Sequence, residues 1–289
     1  MITEPGIYDM TWPDYLSDPC PEPSLSCSIA RMLCLDSPAH AREAHPRLNP
    51  QTVDAHNEAM DIGTAAHALL LEGLYALAII DAKDFRTNAA KDQRDAAYAA
   101  GKTPLLAARW QDVQRMVAAV REQLAQHVDG GAEMFTKGRP EQTLIWKEQL
   151  TGEPDSEVWC RARADWLRPA AIDDYKTTGK SANPETWSKS LFYDGKDLQA
   201  AWYCRGLKAL TGQTATFRYA VQETYPPYAL SVIALGPDAQ VLAEKKVLYA
   251  LEQWRTARER NDWTGYPRRT CYAALPMTHE AWWLEREMR

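Results

Sequence analysis

The spacing of apolar positions divides the chain into a first part with helical periodicity and a middle part with strand alternation. Residues 1–24 fit neither pattern. Five prolines (Pro5, Pro13, Pro19, Pro21 and Pro23) punctuate them and predict an extended arm with little regular structure. The segment SLSCSIARMLCLDSPAHA then starts a helix, with Ser26 or Ser28 as its cap and Ile29, Met32 and Leu33 as its stripe. Pro38 stops or restarts it. A second helix is expected from about 54 to 72, on a face built from Ile62, Ala66, Leu69 and Leu70. Residues 81–101 are polar and Ala-rich and read as helical or mobile. From 105 to 127, Val113, Met116, Val117, Val120 and Leu124 mark an amphipathic helix that Asp129-Gly130-Gly131 ends.

The pattern changes after that. QTLIWKEQL, EVWCRARADWL and AAIDDY read as three strands, with a loop at 151–155 and a turn at Arg168-Pro169. A helix follows from about Lys196 to Thr211. TFRYAVQE and YALSVIAL are two more strands, separated by Pro226-Pro227, and a long helix runs from about Pro237 to Arg260. No internal repeat or linker interrupts the 289 residues. The expectation is one mixed α/β domain over 1–289: helices, a small mixed sheet, then helices and a Trp- and Arg-rich tail.

Composition narrows the class. Apolar residues make up 45% and charged residues 25%, which excludes disordered and fibrous chains. No apolar run is long enough for a membrane span, and the opening MITEPGIYDMTWPDY lacks a secretory pattern, so a cytoplasmic protein is expected. The net charge of −6 argues against a protein that coats nucleic acid non-specifically, but it leaves room for a local basic surface. The six cysteines form no CxxC pair and read as free thiols of a reducing compartment. Cys20, Cys27 and Cys34 are seven apart, yet Cys20 sits in DPCPEP and cannot share their helix. Among eleven tryptophans, Trp187, Trp202 and Trp254 read as core filling or as stacking surfaces for bases.

The densest chemistry is RARADWLRPAAIDDYKTTGK. Asp174 and Lys176 are two apart on a strand and so share a face. A short turn through Pro169 lets the preceding strand pair back and bring Asp165 towards Asp174. Two carboxylates suit Mg²⁺, and a neighbouring ammonium can position a water. The alternative is a solvated strand face; the apolar run Ala170-Ala171-Ile172 argues for a buried one, where charges need partners. In DIGTAAHALLLEG, Gly63 lies one turn before His67, and the small residues let this helix approach a sheet edge. Gln199 and Tyr203 are four apart on one helical face. Arg161 and Arg163 alternate with Asp165 and are expected either to contact a DNA backbone, as is Lys180, or to form salt bridges with a neighbouring strand.

The order GTAAH, E, AD, DYK and QxxxY resembles the RecB-like branch of the PD-(D/E)XK nucleases. The opening (GIYDM, PSLSCSIARML, SPAHA, HPRLNP) and DIGTAAHALLLEG resemble more closely the phage and prophage exonuclease VIII (RecE-type) family, over nearly the whole chain. One departure is Ala164, where the superfamily motif has proline before the acid. The resemblance implies a restriction-endonuclease-like core with helical N- and C-terminal elaborations. It implies that His67, Asp165, Asp174 and the main-chain carbonyl of Tyr175 hold a divalent metal, Mg²⁺ or Mn²⁺. Lys176 would hold or activate the attacking water, and Gln199 and Tyr203 would orient the site or touch a phosphate. Glu141 matches a weaker acidic position, with a surface strand start as its alternative. Ser26 and Ser28 are either phosphate contacts or simply a cap.

By resemblance the activity is a metal-dependent exodeoxyribonuclease acting 5′ to 3′ on linear duplex DNA. It would leave 3′ overhangs for a RecT-like single-strand annealing partner in a bacterial or phage-infected cell. A homo-oligomeric ring is implied too, and the tail with Trp263, Trp282 and Trp283 is a candidate interface. Two other readings remain. A CRISPR-associated nuclease with an iron–sulfur cluster would need several C-terminal cysteines, and only Cys271 is there, so no cluster is expected. A non-catalytic DNA-binding or scaffold member would lack site residues that this chain has.

Overall fold

The computed structural model describes residues 1–50, 58–72, 77–150, 157–275 and 277–288. Its centre is a seven-stranded mixed sheet. The strands are β1 (Gly6–Asp9), the two-residue β2 (Leu25–Ser26), β5 (Arg139–Gln149), β6 (Glu157–Arg168), β7 (Ala171–Thr178), β8 (Thr216–Glu223) and β9 (Leu230–Ile233). They lie in the order β1-β5-β6-β7-β8-β9, with β2 added beside β6. The pairs β1–β5, β5–β6, β6–β7 and β8–β9 are antiparallel, whereas β7–β8 is parallel. That parallel pair needs a crossover, supplied by α7 (Pro184–Tyr193) and α8 (Lys196–Thr211).

Helices cover both faces. On one, Trp187 and Leu191 of α7 and Leu198, Trp202 and Leu207 of α8 pack with α2 (Cys27–Leu35) and α9 (Pro237–Arg260) on Leu144, Trp146, Ala162 and Val221. On the other, α4 (Glu58–Leu71) and α6 (Ala107–Ala125) bury Ala65, Ala66, Val113, Met116, Val117 and Val120 against Trp166, Tyr175 and Ala220. The α8 contact is close: a Cβ on Gly206 would stand 2.7 Å from the Trp146 ring, which only glycine avoids. Trp146 and Trp202 meet at 5.1 Å between centroids. Trp187, Trp202 and Trp254 are all buried, so they fill the core and do not offer stacking surfaces.

The α8 and α9 helices have the bounds expected from their periodicity, and the three central strands lie where alternation puts them. The arm is more regular than its prolines suggest. GIYD pairs with Gln142–Ile145 as edge strand β1, and Thr11 caps α1 (Trp12–Leu16), with Pro13 in its first turn. Residues 81–101 contain α5 (Asn88–Ala99), capped by Thr87. Two four-residue strands, β3 (Leu77–Ile80) and β4 (Thr103–Leu106), pair in parallel as a separate small sheet, so α6 starts later than its periodicity suggests. Strands that short carry too few alternations to be read. Pro38 opens α3 (Pro38–Ala44), and the tail forms α10 (Met277–Glu287). The expected loop at 151–155 and the first turn of the helix expected from 54 lie outside the described residues. Among the described residues no helix is long and apolar enough to cross a membrane.

Candidate active site

β6 changes neighbour along its length, and the site lies at the change. One edge pairs with β5 in a single register, from Arg139–Leu167 to Gln149–Glu157, with no ladder pair at Glu141 and Asp165. On the other edge Cys160 and Arg161 pair with β2, while Trp166, Leu167 and Arg168 pair with Asp173, Ile172 and Ala171 of β7. Between them the two long strands fork. Continuing the register past Trp166–Asp173 sets Asp165 opposite Asp174, as the turn at Pro169 leads one to expect. The backbone freed by the fork finds other partners: the Tyr175 N–H donates to Asp165 Oδ2 at 3.0 Å, and Trp202 Nε1 donates to the Arg161 carbonyl at 3.1 Å.

Asp174 is fully buried on the α8 side of the sheet. Lys176 Nζ lies 2.6 Å from its Oδ1, and Gln199 Nε2 donates to its Oδ2 at 2.7 Å. Oδ1 still accepts no hydrogen bond of good angular geometry; its ion pair with Lys176 is a matter of distance alone. Asp173, the next residue, points the other way and is held by Arg168 and Arg218. Alternation thus separates an aspartate paired with two arginines from one that faces Lys176 and Gln199.

His67 reaches the fork from α4. Gly63 makes the approach feasible, because a Cβ there would come within 2.9 Å of Thr177 Oγ1 on β7. His67 Nε2 lies 3.2 Å from Asp165 Oδ2 and 3.4 Å from Glu141 Oε1. Glu141 has a positive φ of 52°, a rare conformation inside a strand, and Arg163 Nε donates to its Oε2. His67, Glu141 and Asp165 each offer a ligand atom, and these atoms all lie within 4.8 Å of one another.

The electrostatics are those of charges crowded at a partly buried site. Burial and the nearby Asp165 charge push Asp174 up to about 7, against the pull of Lys176. Burial also acts to raise Asp165, but His67, Lys176 and the Tyr175 N–H outweigh it and hold this acid at about 2. Burial alone would lower His67; the Asp165 carboxylate raises it to about 9. Lys176 is raised by Asp174 and Asp165 despite its burial. Glu141 is raised by burial.

The structure therefore brings His67, Asp165, Asp174, Lys176, Gln199 and Glu141 to one fork. Tyr175 contributes backbone there, while its hydroxyl turns away to Gln222 Oε1 at 2.6 Å. Tyr203 packs edge-to-face on Phe217, and its hydroxyl is raised well above its usual range by burial, with Asp174 and Asp165 among its charged neighbours. Ser26 is buried and caps α2 by accepting from the Ile29 N–H, and its hydroxyl lies 3.0 Å from that of exposed Ser28. Because β2 ends where α2 begins, the amino end of α2 points from the edge of β6 that the fork leaves open.

The arginines depart from the DNA-contact expectation. Arg161 is buried, with Nη1 3.1 Å from Asp18 Oδ1 and donating to the Ser24 carbonyl at 2.9 Å, under the Tyr15 ring. Arg163 is also buried and spends its donors on Glu141 and the Met10 carbonyl. Both form salt bridges within the protein, Arg161 with Asp18 of the arm and Arg163 with Glu141 of β5. Lys180 is exposed, as a phosphate contact requires. The arm's role as the cover of Arg161 and Arg163 was not legible in its proline-rich sequence.

The sheet order, the forked strands and the acid–lysine site define a member of the PD-(D/E)XK nuclease superfamily. Within it the chain belongs to the family described as a PDDEXK-like domain of unknown function (DUF3799), which matches residues 26–273. The fold is similar to the crystal structure of a "putative exonuclease" from Eubacterium rectale, with a TM-score of 0.59 and 14% identity over 94% of this chain and 97% of that one. No curated protein matches the sequence.

Proposed function

We propose that this nuclease is a metal-dependent exodeoxyribonuclease that degrades one strand of linear duplex DNA, 5′ to 3′, in the manner of the exonuclease VIII (RecE-type) enzymes. The observation that carries the chemistry is the fork itself, where Lys176 and the buried Asp174 converge beside the half-buried His67–Glu141–Asp165 cluster. Polarity and duplex preference rest on the resemblance of GIYDM and DIGTAAHALLLEG to that family.

The residues fit a divalent cation. Two oxygen ligands and one imidazole converge in the cluster, and the adjacent Asp174 Oδ1 is a buried acceptor without a well-formed hydrogen bond. His67, Asp165 and Glu141, with Asp174 and the Tyr175 carbonyl beside them, would hold Mg²⁺ or Mn²⁺. Bound there, such an ion supplies positive charge to the phosphodiester transition state and lowers the pKa of water.

The chain's own groups do the rest. Lys176 stays protonated and can hold a water by donating to it, while Asp174 fixes the ammonium in place. Gln199 fixes Asp174 from the α8 side. Arg163 aims Glu141, and the Tyr175 N–H aims Asp165. The N–H groups at the start of α2, with Ser28 exposed there, suit an incoming phosphate. The global charge of −6 is overcome locally by lysines, the helix terminus and the ion.

The product would be a 3′ single-stranded overhang for an annealing partner, in the cytoplasm of a bacterial or phage-infected cell. A closed homo-oligomer would keep the enzyme on its substrate, with the exposed Trp282 and Trp283 of α10 at its interface. Incubation with linear and covalently closed duplex, with Mg²⁺ or with chelator, tests the reading. Nucleotide release from linear DNA with Mg²⁺ alone supports it. Equal attack on closed circles contradicts exonuclease action, and retention of DNA without turnover contradicts catalysis.

A further inference from the structure

An open cleft of about 560 Å³ adjoins the fork and is continuous with it through Lys176. Its walls are the end of β7 with the loop after it, and the α7–α8 corner. The lining is cationic and hydroxylic. Lys176, Lys180 and Lys196 are its bases, with Thr178, Ser181 and Ser190 among its hydroxyls. Asp194 is its only acid, and Lys196 already neutralises it at 2.5 Å. Lys180 makes no ion pair with any described residue. Lys196 Nζ also lies 5.6 Å from the centre of the Trp187 ring, which forms part of the wall.

Beside the lining residue Asp194 the chain exposes two aromatic side chains. Tyr193, the chain neighbour of Asp194, is 82% exposed, and Phe192 beside it is 37% exposed. Cations spaced along a groove with an exposed ring at its edge are what an unpaired nucleic-acid strand recognises. Phosphates take the ammonium groups, and a base takes the ring. A duplex offers no free base face to Tyr193, because its bases are already stacked. The volume suits one or two nucleotides and not a double helix.

We propose that this cleft binds the unpaired nucleotides next to the bond being cut, with Lys180 and Lys196 holding phosphates and Tyr193 stacking on a base. The cleft would then select an end that can fray, since only a separated strand enters it. The proposal rests on the nuclease reading for its placement next to the reactive phosphate, but binding can be measured without cleavage.

The test is the affinity of the full-length protein for a short labelled oligothymidylate, by fluorescence anisotropy with chelator present, across a range of salt concentrations. Each side chain is exposed or at the rim, so substitution should leave the fold intact; a thermal melt checks this. Lys180→Ala is expected to weaken binding and to reduce the slope of log affinity against log salt by about 0.7, the value for one phosphate on a single strand. Tyr193→Ala should lose at least about fivefold in affinity with the slope unchanged, and Tyr193→Phe should retain it. Wild-type affinity and slope in both alanine variants would overturn the cleft assignment. Equal losses on a blunt, cross-linked duplex would overturn the assignment to an unpaired strand. A wild-type protein that binds as expected here, yet cleaves no DNA with Mg²⁺, would support the cleft and contradict the nuclease reading alone.

Discussion

Asp174 and Lys176 depend on each other, and substitution at either residue should separate chemistry from folding. Lys176→Ala removes the donor proposed to hold the water and leaves a buried carboxylate, so cleavage should fall by about 10²–10⁴-fold. Asp174→Asn keeps the shape and the contact with Gln199 but loses the ion pair with Lys176. It should be as inactive, and a thermal melt reads the separate cost of turning an amide nitrogen towards Lys176 Nζ. A variant with more than a tenth of wild-type activity, by nucleotide release, would remove that residue from the centre of the mechanism.

A second residue-scale consequence concerns stability. His45 is wholly buried; its Nδ1 accepts from the Arg47 N–H, and its Nε2 faces the Ser24 carbonyl at 3.0 Å. That arrangement requires the neutral ring, and burial with the Arg161 charge lowers its pKa to about 4. The unfolded chain protonates this histidine near its ordinary 6.5 and so binds more protons between pH 6.5 and 4. Stability from this residue is therefore complete above about 6.5 and falls as the pH drops to 4, by roughly 1.4 kcal/mol per unit at the steepest. Denaturant melts from pH 7.5 to 4.5 should show the decline, and His45→Gln should flatten it. An unchanged pH dependence in that variant would contradict the neutral ring.

At the scale of elements, Gly63 decides how closely α4 approaches β7. Alanine has the better helix propensity, by about 1 kcal/mol, yet its Cβ would press on Thr177 Oγ1. Gly63→Ala should cost activity more than stability, because displacing α4 moves His67 away from Asp165. Adding Thr177→Ala removes the obstructing oxygen and should restore much of the loss, as a double-mutant cycle measures. A fully active Gly63→Ala protein would mean that the helix has slack. The Gly63–His67 spacing was legible in the sequence because both lie on one helical turn. So were α8, α9 and the three long strands, whose periodicity extends over eight residues or more. β1, β2, β3 and β4 were not legible, since two to four residues set no period. Nor was α7, although Asn183 followed by Pro184 is a capping signal that could have revealed it.

At the scale of the whole molecule, sequence reasoning and structure part company over charge. Alternation expects Arg161, Arg163 and Asp165 on one strand face, but Ala162 and Ala164 join one core and Trp166 the other, so the alternation is interrupted at Asp165, and the sequence could not show that the arm covers the arginines. The pairing of Arg161 with Asp18 and of Arg163 with Glu141 depends on segments about 140 and 20 residues away in sequence, a separation that local pattern does not encode. Glu141, a marginal candidate by position, lies inside the His67–Asp165 cluster because β5 and β6 pair in unbroken register on either side of it. With the arginines withdrawn inside, the proposed contact with DNA near the fork falls to cations such as exposed Lys180 and half-buried Lys196. Binding should therefore weaken as salt rises with a modest slope, since few phosphates are neutralised.

The most direct test of the account is digestion of a linear duplex labelled at the 5′ or the 3′ end of one strand, by wild-type and Lys176→Ala protein, with and without Mg²⁺. The account predicts early loss of the 5′ label as a mononucleotide, late loss of the 3′ label, and nothing from the variant or without the metal. Release that persists in Lys176→Ala protein or in chelator, or that begins at the 3′ end, would contradict it.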